Sequence, residues 1–142
     1  MGQNMNQYLK DILKQEEDSL NCIIIFDLGE GLPLYYSSIN LDPKLDNDLF
    51  GDNDIGGALA DFVNIKQVQK ALDSFGKVTK SGELNYSIFK LTQAQMMVYF
   101  YKLADTTVAI CFITFNKNVS LGRLVSSGRN NIEEIKKRLP NQ

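Results

Sequence analysis

The residues with the most chemical potential in this chain are Cys22, Cys111, two lone arginines and several carboxylates in polar runs, with no histidine anywhere. The lack of histidine removes the commonest general base and the commonest transition-metal ligand. Cys22 and Cys111 each sit inside an apolar run, CIIIF and TTVAICFITF, and form no Cys-x-x-Cys pair. Such runs favour two buried free thiols of an intracellular protein, with a disulfide or metal site as the alternative. Asp46-Asn47-Asp48 and Asp52-Asn53-Asp54 gather oxygen ligands, but the EF-hand order of acids, glycine and terminal glutamate is missing. The second triplet is better suited to accepting bonds from the first N–H groups of a following helix. Gly29-x-Gly31 and Gly56-Gly57 fit neither the phosphate-cradling nor the dinucleotide pattern, and no nucleophile elbow is present. Arg123 and Arg129 are cations of the kind that reach phosphate in phosphoryl-transfer sites, yet both fall in a solvated helix. The reading is a non-enzyme with no catalytic, cofactor-binding or metal-ligating residues.

At 142 residues, with 44% hydrophobic and 23% charged residues, the chain reads as a single globular domain. A net charge of -2 gives no electrostatic case for nucleic acid. No apolar run approaches the roughly 20 residues that span a bilayer, and the polar start is no signal peptide. Gly2 lacks the myristoylation context, because Asn6 stands where Ser or Thr is needed. These features point to a cytoplasmic protein without direct membrane insertion.

The elements follow from periodicity. Met5, Tyr8, Leu9, Ile12 and Leu13 make one helical stripe, predicting a helix over 5–20. CIIIF at 22–26 is a strand covered on both faces, and Asp27–Gly31 turns it into a hairpin with 34–38. Residues 39–51, dense in Asp, Asn and Pro, read as the least structured connection. A middle helix is expected over 55–75, with Ile55, Ala58, Leu59, Phe62, Ile65, Gln69 and Leu72 on one stripe, Val63 and Val68 off it, and Gly76 as its C′ residue. Its apolar surface is wider than one sheet contact needs. Such a helix either lies deep in its own fold or touches the sheet on one side and a second protein on the other. Strands are expected at 83–91, 95–103 and 106–115, then a helix over 119–139 whose exposed side carries Lys136, Lys137 and Arg138 near the negative end of its dipole. Those cations read as a solvated helix end, with a weak site for an acidic partner or membrane surface as the alternative.

This order, with the segments CIIIFDLGEGLPLYYSS and FNKNVSLGRLVSSGRNNIEEIKKRL, resembles the roadblock family of dynein light chains and small-GTPase regulators. Asp27, Gly31, Leu32 and Pro33 occupy the family's turn and strand-opening positions, and the likeness runs from Met5 to Leu139 as one domain. The long 39–51 connection is a departure. The resemblance implies an α+β fold (mixed α/β) in the order α-β-β-α-β-β-β-α. In it, a five-stranded antiparallel sheet carries the long middle helix on one face and the terminal helices on the other. It further implies a homodimer, or a heterodimer with another roadblock chain, in which the middle helices and the 83–91 strands meet. Ile55, Leu59, Phe62, Ile65, Gln69, Leu72, Leu84, Tyr86 and Ile88 are the expected contact residues. The implied function is a regulator or scaffold that binds a small GTPase. The alternatives are a light-chain-like subunit of a motor or membrane-tethered complex and a small-molecule sensor. Phe62, Phe100 and Phe112 argue for a filled core and against the sensor.

Overall fold

The structure is a computed structural model that describes residues 4–50 and 61–142. Two runs of β-branched and aromatic residues form its centre. Strands β4 (Gln95–Leu103) and β5 (Thr106–Thr114) pair along their whole length, from Gln95 opposite Thr114 to Leu103 opposite Thr106. Ala104 turns the corner in the left-handed region at φ 55°. Strand β1 (Cys22–Asp27), buried at every position, lies on the other side of β5. Strand β2 (Leu32–Ser38) flanks β1, and β3 (Tyr86–Lys90) flanks β4. The sheet is antiparallel, five-stranded, in the order β2-β1-β5-β4-β3. The fold is therefore α+β, as expected.

Alternation along the strands sends side chains to two cores. One face holds Ile23, Ile25, Met97, Tyr99, Ile110 and Phe112 beneath helices α1 (Met5–Gln15) and α4 (Leu121–Arg138). Gly128 lets α4 settle close, since a Cβ there would lie 3.0 Å from Met97 Sδ. The opposite face holds Ile24, Phe26, Val98, Ala109, Cys111 and Ile113 beneath a short 3₁₀ turn (Asp61–Asn64) and helix α3 (Ile65–Val78). Side-chain caps start both terminal helices: Asn4 Oδ1 accepts from Gln7 N–H at 2.9 Å and Ser120 Oγ from Arg123 N–H at 3.2 Å.

Strand β2 starts two residues earlier than expected, β3 is confined to Tyr86–Lys90 instead of 83–91, and the helix expected over 55–75 is, among the described residues, a 3₁₀ turn at Asp61–Asn64 before α3 starts at Ile65. Three further differences have identifiable reasons. Helix α1 stops at Gln15, because the charged run Glu16–Asp18 has no apolar side chain to bury, and the N–H groups of Ser19 and Leu20 turn back onto the Glu16 carbonyl. The connection at 39–51 contains helix α2 (Pro43–Phe50). Pro43 suits a first helical turn and Asp42 Oδ2 accepts from Leu45 N–H at 3.3 Å, so residues that break structure elsewhere start a helix here. Helix α3 continues to Val78, so Gly76 is an interior residue rather than its C′ position.

Candidate docking surface

Helix α3 is anchored at its start and bare further on. Phe62 stacks edge-on against Phe26, with ring centroids 5.5 Å apart, and Val63 and Ile65 pack on the same core. Past Ile65, only Gly76 is buried in α3. Val68, Leu72, Phe75 and Val78 stand 41%, 43%, 64% and 83% exposed. Their spacing of four, three and three residues lines them up as one stripe beside the sheet-facing side. Lys66, Lys70 and Lys77 occupy other sides of the helix.

A tight joint sets α3 against β3. Gly76 lies so near Gly82 that a Cβ on it would come 1.7 Å from the Gly82 carbonyl oxygen. Ser81 and Gly82 both donate their N–H groups to the Gly76 carbonyl, and Gly82 adopts φ 94°, which only glycine holds without strain. Asp73 completes the joint, accepting from Leu84 N–H at 2.7 Å and from Gln69 Nε2 at 2.7 Å. The apolar stripe and the strand edge are thus held in one fixed relation.

Strand β3 is an outer strand. Phe100 donates its N–H to the Asn85 carbonyl at 3.0 Å, so by alternation Tyr86, Ile88 and Lys90 turn their backbone groups away from β4. Among the described residues nothing pairs with that edge. Tyr86 (43% exposed) and Leu91 (54%) add apolar surface beside it.

The expected contact residues divide accordingly. Leu72 and Tyr86 are exposed, and Leu84 and Ile88 are half-buried at the edge. Gln69 is tied to Asp73, while Phe62 and Ile65 point into the core. Ile55 and Leu59 lie outside the described residues. Val68 is one of the two residues read as lying off the main stripe, whereas Phe75 and Val78 are counted on neither side. Their signal was a second stripe, offset by about a quarter turn from the one counted.

The remaining chemistry-bearing residues do not converge. Cys22 and Cys111 are free and buried. No group of acids and cysteines among the described residues has metal-site geometry. Arg123 and Arg129 are exposed on α4, across the sheet from α3. The core is less filled than its phenylalanines suggest: Phe112 is fully buried, but Phe62 and Phe100 are only partly so. A cavity of about 290 Å³ lies among Ile24, Phe26, Leu49, Phe62, Met96 and Phe115. Gln95 supplies an amide to its wall, but the amide nitrogen already donates to the Val119 carbonyl at 2.8 Å.

Comparison with known proteins adds the fold's relationships. No family model matches the chain, and no curated protein does. Solved structures do match. The gliding protein MglB from Thermus thermophilus is similar with a TM-score of 0.63 at 12% identity, over 96% of this chain and 92% of that one. An MglB with a tetrameric arrangement gives 0.61 at 12% identity, over 96% and 91%. A Roadblock/LC7 domain from Streptomyces avermitilis gives 0.51 at 11% identity, over 96% and 98%. The chain has the roadblock fold. Within that roadblock fold, α3 is the middle helix and β3 the edge strand beside it.

The thiols give a first prediction. Burial pushes Cys22 up to about 12 from an ordinary 9.0, and pushes Cys111 higher still. A raised thiol pKa means that the folded state holds protons which unfolding releases. The associated stability is complete below the ordinary value near pH 9 and is lost as pH rises through the folded values. From about pH 9 upward the denaturation midpoint should fall progressively, and Cys22→Ala/Cys111→Ala should flatten that fall. Native maleimide labelling of both thiols within seconds would contradict the burial.

Proposed function

We propose that this chain, as a single roadblock-type domain over residues 5–139, is a non-catalytic cytoplasmic regulator or scaffold that pairs with a second roadblock chain and binds a small GTPase. One observation carries the reading. Of the nine large hydrophobic residues exposed among the described residues, five lie on α3 or at the end of β3, Val68, Leu72, Phe75, Val78 and Leu91, and Tyr86 flanks the β3 edge from the other face of the sheet, its ring against Tyr99. Apolar side chains concentrated in this way mark an interaction site rather than ordinary surface scatter. An unpaired strand edge beside them offers main-chain hydrogen bonds to the same partner. A copy of the chain brings both features in complementary form, as a two-fold contact requires. One similar structure on this fold is an MglB with a tetrameric arrangement.

The small GTPase follows from the family resemblance, and the non-catalytic reading from a sequence without histidine or a nucleotide-binding motif. The test is binding of the purified chain to small GTPases of its own cell, each loaded with GDP or a non-hydrolysable GTP analogue. One of them should bind in a nucleotide-dependent way, by roughly 5- to 150-fold. Equal binding in both states would favour an architectural subunit, and no binding to any would reject the GTPase.

A further inference from the structure

The sheet has two outer strands, and the structure treats them differently. At β2, backbone groups that face away from β1 meet side chains of α1. Tyr36 N–H donates to Asn6 Oδ1 at 3.0 Å, and the Lys10 ammonium donates to the Ser38 carbonyl. Asn6 and Lys10 are four residues apart, so one side of α1 presents both to the strand. Leu9 and Leu13, fully buried, fix α1 in that place. Pro33 removes one donor from β2, and the register slips between Ile25 and Phe26 next to it. Strand β3 has no comparable cover among the described residues.

Covering an edge in this way matters because β2 is otherwise well suited to pairing. Its seven residues, LPLYYSS, carry no charge, so two copies laid antiparallel meet no repulsion. Leu32 (57% exposed) and Leu34 (41%) add apolar surface to the strand. Exposed uncharged strands of this kind add further chains unless something blocks them.

We propose that β2 is a second strand-addition edge, latched shut by Asn6 and Lys10 of α1, and that the occupant it is closed against is β2 of another copy. The latch makes assembly one-sided. Where chains pair through the β3 side, as proposed above, the assembly ends there instead of growing through both edges. That limiting role rests on the proposed pairing, whereas the latch itself does not.

The test removes the latch and leaves the core contacts of α1 intact. Asn6→Ala/Lys10→Met should keep its circular dichroism spectrum and sediment as species larger than the wild type, growing with concentration. Adding Tyr36→Pro, which deletes the outward donor without touching the bonds to β1, should return the wild-type size. Wild-type sedimentation by the latch variant, or growth that survives Tyr36→Pro, would overturn the proposal. If the double variant unfolds, Asn6→Ala alone decides: the Tyr36 amide should exchange with solvent about tenfold faster or more, and unchanged exchange rejects the latch. A monomeric wild type would reject pairing through β3, yet growth of the latch variant through β2 would still support the latch.

Discussion

Phe75→Asp is expected to convert an assembled protein into a folded monomer. Phe75 is 64% exposed in the isolated chain and lies mid-stripe between Leu72 and Val78. A residue this exposed contributes little to folding, so the melting curve should move by an amount typical of surface substitutions, within about 0.5 kcal/mol. Association should respond far more. Truncating an aromatic anchor at the centre of an interface costs about 2 kcal/mol or more, roughly 30-fold in affinity. A carboxylate there also has to be desolvated without a partner. Sedimentation velocity and thermal denaturation on the same sample separate the two effects. A variant that unfolds would show that Phe75 belongs to the core, and one that stays assembled would remove the stripe from the contact.

Gly76→Ala should do the reverse and damage the fold itself. The added methyl would lie 1.7 Å from the Gly82 carbonyl oxygen and 2.9 Å from its carbon, both backbone atoms. Neither can swing aside as a flexible side chain would. Relief requires breaking the bonds from Ser81 and Gly82 to the Gly76 carbonyl, and with them the joint between α3 and β3. Overpacking costs about 1–3 kcal/mol, and a backbone clash belongs at the upper end, which outweighs the ~1 kcal/mol that alanine gains over glycine in a helix. Lys77→Ala, exposed one residue on, is the control and should be near neutral. Denaturant titration of both variants checks the difference. A Gly76→Ala protein as stable as the control would mean that the joint is looser than described.

These two residues also show what was legible in the sequence. Strands β4 and β5 were, because long β-branched and aromatic runs leave little alternative to a central strand: β4 occupies the expected 95–103 and β5 ends one residue early. The five-stranded antiparallel sheet, the helices on both faces and the edge position of the 83–91 strand came with the resemblance, but the order of the strands did not. Gly76 was misread because a glycine near the end of an apolar stripe looks like a helix terminator. The demand on it comes instead from Gly82, six residues on, through a turn that no local pattern announces. Helix α2 was missed because Asp and Pro were weighed by number, whereas their effect depends on standing at a helix start. The stripe on α3 was half seen. Periodicity showed more apolar surface than one contact uses, but it ranked Phe62 and Ile65 with Leu72. Packing then divided them, with Phe62 and Ile65 on the sheet and Leu72 outside with Val68, Phe75 and Val78.

On the proposed pairing, the α3 stripe and the β3 edge form the surface on which a second chain docks. Amide hydrogen exchange of the native chain, measured at low and high protein concentration, tests it most directly. The outward amides of Tyr86, Ile88 and Lys90 should be protected only at high concentration, while the Tyr36 amide keeps the same protection throughout, because Asn6 covers it within the chain. Concentration-independent exchange at β3, or new protection at β2 in its place, would contradict the account.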